Sequence, residues 1–98
     1  MANQLDAAGA EPRALLAAAD FSGARVLEIG SGNGRLTFRF AADARSVIGV
    51  DLKHAELASA LQGCPERLRP GVRFACASAI SLPFRDAVFD IALFASAL

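Results

Sequence analysis

The chain has 98 residues, equal numbers of acidic and basic residues, and a formal net charge of zero. This length allows a single domain, and the lack of a basic stripe argues against nucleic acid or an anionic membrane as a partner. The sequence shows neither a signal-peptide pattern nor an apolar stretch of the roughly 20 residues that a membrane span needs, so we expect a cytoplasmic protein. The two cysteines, Cys64 and Cys76, are expected to be reduced thiols.

The apolar pattern predicts an α/β fold in which strands alternate with helices. Residues 1–10 are small and polar and predict a flexible N-terminal tail ahead of the folded domain at residues 11–98. The alternation implies right-handed crossovers and a parallel sheet. The predicted strands cover residues 25–29, 46–50, 72–76 and 88–94, the predicted helices cover residues 12–20, 33–42, 53–62 and the residues from Ala95 onward, and the predicted loops cover residues 64–71 and 78–85.

Three glycines follow the first predicted strand at alternate positions, in the run VLEIGSGNG at residues 26–34. Glycine lets the backbone turn sharply there and leaves main-chain amides uncovered, and the helix that follows points further amides at the same space. Asp51 ends the next predicted strand and therefore lies at the same edge of the sheet. A carboxylate there can accept hydrogen bonds from ribose hydroxyls, so the pattern predicts half of a nucleoside-binding site.

The spacing of the glycines differs from that of a dinucleotide-binding loop. The dinucleotide motif is G-x-G-x-x-G, whereas this chain has G-x-G-x-G and places Arg35 where the third glycine would stand. Glu28 precedes the first glycine by two residues. An acid at that point repels a pyrophosphate and attracts a cationic group, such as a ligand ammonium.

Each of these residues also has a structural interpretation. Any tight turn between a strand and a helix favours glycine, Asp51 could cap the helix that follows it, and Glu28 could be a solvated acid at a strand end. His54 is interpreted as a surface residue without an acid or cysteine partner. We expect both cysteines and Phe38, Phe40, Phe84, Phe89 and Phe94 in the core, and we assign no catalytic role to Asp90.

Four segments together resemble the motifs of class I S-adenosylmethionine-dependent methyltransferases, most closely the type 11 subgroup. They are VLEIGSGNG at residues 26–34, VIGVD at 47–51, VRFACASA at 72–79, and LPF at 82–84 followed by VFDIAL at 88–93. The resemblance spans about residues 13–98. It implies a Rossmann-like parallel sheet with flanking helices, the first four strands of a seven-stranded methyltransferase fold. Residues 11–98 would then form a partial, truncated S-adenosylmethionine-binding domain that lacks the substrate-binding half.

The resemblance also implies roles for individual residues. Glu28 and the loop at residues 30–34 would hold the methionine moiety, Asp51 would bind the ribose hydroxyls, and Leu52 would pack beside the adenine. Ser78 stands where many members have an acid, and a serine accepts a hydrogen bond more weakly than a carboxylate. No catalytic residue and no metal ligand is assigned. The implied cofactor-binding residues are Glu28, Gly30, Ser31, Gly32, Gly34, Asp51, Leu52, Ala77, Ser78, Ala79 and Phe94.

The favoured hypothesis is methyl transfer from S-adenosyl-L-methionine to a small-molecule acceptor. One alternative is a cofactor-binding fragment or inactive remnant without turnover, and another is a nicotinamide-dependent oxidoreductase domain. In the family's strand order the fourth predicted strand lies inside the sheet. Here we expect residues 89–94 to form an uncovered edge through which the chain self-associates.

Overall fold

A computed structural model of the chain describes residues 3–6, 19–77 and 89–95. Its five strands form one sheet in the order β1-β5-β2-β3-β4, and every neighbouring pair is parallel. The prediction of a parallel α/β sheet is therefore confirmed. The strands are β1 (Asn3–Asp6), β2 (Arg25–Ile29), β3 (Ser46–Asp51), β4 (Val72–Cys76) and β5 (Ile91–Phe94).

Of the two helices predicted between the described strands, one is shorter than predicted and the other has its predicted length. Helix α1 (Thr37–Phe40) is a single turn within the predicted helix at residues 33–42, because turns precede it and follow it. Helix α2 (His54–Gly63) lies within one residue of its predicted bounds. The predicted loop at residues 64–71 instead contains a 3-10 helix, Glu66–Gly71. No helix in the described residues is long and apolar enough to cross a membrane.

Two predicted helices fall mainly on residues that the structure does not describe. Residues 12–18 of the first lie outside the described part, and Ala19 and Asp20 are not helical. Ala95 is not helical either, and residues 96–98 lie outside the described part.

The N-terminal segment differs from the sequence prediction. Residues 1–10 were expected to form a flexible tail, but Asn3–Asp6 form β1, which pairs with β5 from Asn3 opposite Ile91 to Asp6 opposite Phe94. The expectation of an uncovered edge at residues 89–94 is therefore wrong. The sequence NQLD has no β-branched or aromatic residue and little alternation, so its strand conformation depends on pairing with β5 rather than on local propensity.

The core consists of two apolar clusters formed by alternating residues of the strands. In β2, Val26 belongs to the first cluster, whereas Leu27 and Ile29 belong to the second, as expected when successive side chains point to opposite faces. Both faces are covered, which explains why β2 is apolar at most positions. The first cluster also contains Phe40, whose ring stacks on Phe21 with 4.6 Å between centroids.

Some of the residues predicted to lie in the core are buried, and others are half-buried or exposed. Phe40 and Phe89 are buried, whereas Phe38 and Phe94 are half-buried against the two clusters. Phe84 lies outside the described residues. Both cysteines are free, as expected, but only Cys64 is buried, and the expectation that Cys76 is a core residue is wrong because its side chain is exposed.

An ion pair joins the amino ends of β2 and β5. The Arg25 guanidinium donates to both carboxylate oxygens of Asp90, with Nε 3.1 Å from Oδ2 and a terminal nitrogen 3.2 Å from Oδ1. These hydrogen bonds hold the pKa of Asp90 at about 2. The pair lies at the edge of the sheet opposite the carboxyl ends of the strands, which agrees with a structural role for Asp90.

Candidate functional site

A cavity of about 480 Å³ opens at the carboxyl ends of β2 and β5. Its volume lies within the range of small-molecule sites, and open parallel sheets bind ligands at this edge. Four structural parts form its walls: the end of β2 with the glycine loop, the approach to α1, the start of α2, and the residue after β5. The lining residues are Glu28, Gly30, Ser31, Gly32, Asn33, Arg35, Leu36, Arg39, Lys53, Glu56 and Ala95.

The glycine loop folds back against the end of β3. The backbone N–H groups of Gly30 and Ser31 both donate to the carbonyl oxygen of Val50, at 2.8 and 3.1 Å. Gly32 has a φ of +56°, in the left-handed region that favours glycine. A Cβ built on Gly32 would meet only Glu56 Oε2, at 3.6 Å, so the backbone there is uncovered on the side of the cavity.

Asp51 joins the glycine loop to the start of α2. Its Oδ2 accepts a hydrogen bond from the N–H of Gly32 at 2.9 Å, and its Oδ1 accepts one from the N–H of Lys53 at 3.0 Å. The two strand ends that the sequence predicted at one edge are therefore in direct contact. The interpretation of Asp51 as the cap of the following helix is wrong, because Lys53 occupies the N-cap position of α2 without a side-chain cap hydrogen bond. Asp51 instead orders the turn that leads into α2. Each carboxylate oxygen has capacity for a further hydrogen bond. Asp51 is half-buried and lies next to the cavity rather than among the residues that line it.

Glu28 is fully buried at the floor of the cavity. Its Oε1 accepts a hydrogen bond from the hydroxyl of Thr37, which is also fully buried, whereas its Oε2 has no partner in the described part of the chain. Burial raises the pKa of Glu28 to about 7, and the hydrogen bond from Thr37 opposes that rise. The interpretation of Glu28 as a solvated strand-end acid is therefore wrong.

The other predicted site residues lie around the cavity rather than in its walls. Gly34 is buried in the turn that precedes α1, where the ring of Phe38 lies against it. Leu52 follows Asp51 in the chain and is 65% exposed. Ala77 also lies beside Asp51, because its N–H donates to the Asp51 carbonyl oxygen at 3.2 Å. Phe94 packs into the second apolar cluster, and its neighbour Ala95 lines the cavity instead. Ser78 and Ala79 lie outside the described residues.

Charged residues in the cavity wall were missed by the sequence interpretation. Arg35 and Arg39 are four residues apart after the glycine loop, a spacing that places both on one side of a helical segment. Lys53 and Glu56 extend the wall from the start of α2. The arginine spacing was the one available signal, but nothing in the sequence showed that this side faces a cavity.

His54 has a neighbour that the sequence did not indicate. It is exposed, as expected, but its Nε2 lies 3.6 Å from Sγ of Cys76, so the expectation that it lacks a cysteine partner is wrong. Within residues 3–6, 19–77 and 89–95, no group of three or more histidine, cysteine or acidic side chains could hold a metal ion.

The comparisons with known proteins identify the family. A family model described as a methyltransferase domain matches residues 26–98. The chain belongs to the class I S-adenosylmethionine-dependent methyltransferase family. The match includes the glycine loop, Asp51 and β5. No curated protein sequence gives a significant match.

Several solved structures share the fold over most of this chain. The YcgJ protein from Bacillus subtilis is 32% identical with a TM-score of 0.77, and the match covers 85% of this chain and 36% of that protein. An S-adenosylmethionine-dependent methyltransferase from Mesorhizobium loti is 27% identical with a TM-score of 0.71 and the same coverages, 85% and 36%. The [4+2]-cyclase SpnF is 36% identical with a TM-score of 0.67, covering 72% of this chain and 27% of the cyclase. This chain thus spans about a third of the length of its structural relatives.

Proposed function

We propose that the cavity binds S-adenosyl-L-methionine and that the protein transfers the methyl group to a small-molecule acceptor. The observation that carries the proposal is the buried carboxylate of Glu28, whose Oε2 has no partner among the described residues and which lines the cavity beside the glycine loop. A buried polar atom without a partner is costly. A ligand ammonium in the cavity would supply the missing hydrogen bond.

The residues around the cavity fit the remaining parts of the cofactor. Gly30 and Gly32 line the cavity and have no side chain, which would leave room for the methionine moiety beside Ser31. Asp51 keeps acceptor sites for the ribose hydroxyls next to that loop. The remaining proposed contacts are Leu52, Ala77, Ser78 and Ala79 beside the adenine, Gly34 within the loop, and Phe94 with Ala95 closing the site.

The cofactor supplies an activated methyl group on a positively charged sulfur. The contribution of the chain is to hold that group in one orientation and to exclude water, which accelerates a direct displacement through proximity and alignment. No residue of the chain is assigned as a general base. The proposed acceptor is a small molecule because no cationic surface stripe suited to nucleic acid is present in the sequence.

Isothermal titration calorimetry with S-adenosylhomocysteine tests the proposal. Asp51→Asn and Glu28→Gln should each weaken binding by about tenfold or more at pH 8, the effect of losing a hydrogen bond to a charged group. Asp43→Asn is the matched control, since Asp43 is exposed and its side chain makes no described contact. Circular dichroism establishes that each variant is folded.

Two results would reject the proposal. The first is the absence of binding heat with the folded wild-type chain. The second is tighter binding of a nicotinamide dinucleotide than of S-adenosylhomocysteine, which would revive the oxidoreductase interpretation despite the family match.

Cofactor binding without turnover is the second candidate function. It is supported by the residues present, because those of the glycine loop line the cavity whereas no residue is assigned as a general base. Incubation with radiolabelled S-adenosylmethionine and a panel of small nucleophiles separates the candidates. Labelled product from this chain alone would reject binding without turnover.

A further inference from the structure

We infer that Arg35, Arg39 and Lys53 form an anion-binding wall that takes a carboxylate or phosphate group of the methyl acceptor. This inference rests on the proposed function, because it names the substrate class of the same cavity. It concerns residues that neither the family match nor the predicted cofactor contacts assign.

The three cationic side chains are unpaired in the described part of the chain. The ion pair there joins Arg25 to Asp90 at the opposite edge of the sheet. The backbone N–H of Arg35 donates to Asn33 Oδ1 at 3.2 Å and that of Lys53 donates to Asp51 Oδ1 at 3.0 Å, so main-chain hydrogen bonds hold these two positions while the charged side chains remain available. A cavity with three free cations in its wall has capacity for an anion.

The charge balance of the cavity favours an anionic acceptor. Its walls carry three cations against two acids, Glu28 and Glu56, and burial raises the pKa of Glu28 to about 7, so that it is partly uncharged near neutrality. S-adenosylmethionine has an ammonium, a sulfonium and a carboxylate, hence one net positive charge. Its binding therefore increases the positive excess of the cavity, and an acceptor with a negative group would reduce it.

The chemistry of the wall suits an oxyanion rather than a neutral polar group. Arg35 and Arg39 are four residues apart and line the same cavity, and each guanidinium offers paired N–H groups that match the two oxygens of a carboxylate or phosphate. Lys53 contributes a compact charge from the start of α2. The single carboxylate of the cofactor could engage part of this wall, and an experiment must distinguish that source of the anion from the acceptor.

A titration monitored by nuclear magnetic resonance of the arginine Nε–Hε groups tests the inference. The probes are benzoate, phenyl phosphate and the uncharged benzamide, each added to the free protein and to protein saturated with S-adenosylhomocysteine. Both anions should shift the Arg35 and Arg39 signals and bind about tenfold or more tightly than benzamide, as expected for charge-assisted hydrogen bonds. The Arg35→Gln/Arg39→Gln double variant should lose this preference, and Arg67→Gln, an exposed arginine outside the cavity wall, is the control that should keep it.

Calorimetry on the same variants distinguishes the two sources of the anion. We expect the double variant to bind S-adenosylhomocysteine within about twofold of wild type. A selective loss for S-adenosylhomocysteine, with unchanged affinity for 5′-methylthioadenosine, which lacks the amino-acid portion, would show that the arginines hold the cofactor carboxylate and would overturn the inference. Equal binding of benzoate and benzamide would also overturn it. If S-adenosylhomocysteine does not bind at all, the proposed function is rejected. The titration of the free protein still tests whether the wall binds anions.

Discussion

Burial raises the pKa of Glu28 in the floor of the cavity, and the hydrogen bond from Thr37 opposes that rise. Glu28 is fully buried, and in the described residues the hydroxyl of Thr37 is its one hydrogen-bond donor. Its pKa is raised from 4.5 to about 7, so the folded state binds the proton more tightly than the unfolded state does. The stabilising effect of this proton is complete below about pH 4.5 and is lost as the pH rises through 7. The free energy of unfolding should fall by roughly 3 kcal/mol across that window, at about 1.4 kcal/mol per pKa unit.

Thr37→Val should destabilise the protein more at pH 8 than at pH 5. The substitution removes the hydroxyl donor, which leaves the ionised carboxylate of Glu28 without its described hydrogen bond and raises the pKa of Glu28 further. We expect a loss of about 1.5–3 kcal/mol at pH 8, where the bond is to a charged group, and of about 1 kcal/mol at pH 5, where it is not. Urea unfolding at the two pH values measures the difference.

Thr37→Ser is the matched control, because it keeps the hydroxyl and removes only a methyl group. Its effect should be nearly the same at both pH values. A Thr37→Val variant whose destabilisation does not change between pH 5 and pH 8 would contradict the assigned interaction.

The glycine loop requires residues that can adopt a left-handed backbone and that have no Cβ where Phe38 packs against the loop. Gly34 has a φ of +85°, and a Cβ there would lie 2.6 Å from the nearest ring carbon of Phe38. Gly23 has a similar φ of +67°, but a Cβ there meets nothing within 4 Å. The two positions therefore share the conformational penalty and differ in the steric one.

Gly34→Ala should be more destabilising than Gly23→Ala. We expect about 1–2 kcal/mol for Gly23→Ala, the cost of left-handed backbone in a residue with a Cβ, and about 1–3 kcal/mol more for Gly34→Ala because of the contact with Phe38. Thermal and urea unfolding of both variants give the values. Adding Phe38→Leu should recover part of the loss only in the Gly34→Ala background, and additive effects in this double-mutant cycle would disprove the contact.

The sequence predicted the elements whose conformation is encoded locally. β2, β3 and β4 were predicted within one residue because each is a short apolar run bounded by glycine, acidic or turn residues. Helix α1 was predicted too long, because the helical spacing of Leu36 and Phe40 does not show that the residues before Thr37 and after Phe40 form turns. β1 was missed because its strand conformation comes from pairing with a distant segment.

The sequence predicted the backbone segments that form the candidate site but not the charged side chains that line the rest of the cavity. Gly30, Ser31, Gly32 and Glu28 lie where the motif placed them, since a strand followed by a glycine turn fixes the local geometry. Arg39 could not be found in this way, because its place in the cavity depends on the packing of α1 against the sheet. The same dependence on tertiary structure explains why a buried Glu28 looked like a solvated strand-end acid in the sequence.

The arrangement of the whole sheet places a short polar strand at one edge. β5 is apolar throughout, and β1 covers it with four residues that include Asp6. Short edge strands with a charge resist pairing with other molecules, whereas an uncovered apolar strand favours it. The predicted self-association through β5 therefore applies to a chain from which β1 has been removed.

Deletion of residues 1–6 should convert the protein into a self-associating form. The deletion exposes the backbone N–H and C=O groups of Ile91–Phe94 that β1 otherwise pairs, and these groups can then bind a second copy. Size-exclusion chromatography with light scattering should show a concentration-dependent increase in mass for this variant. Deletion of residues 1–2 alone keeps Asn3–Asp6 and is the matched control, which should remain at the mass of the full chain. A six-residue deletion that stays monomeric at high concentration would show that β1 does not protect this edge, and equal association of both deletions would place the contact elsewhere on the molecule.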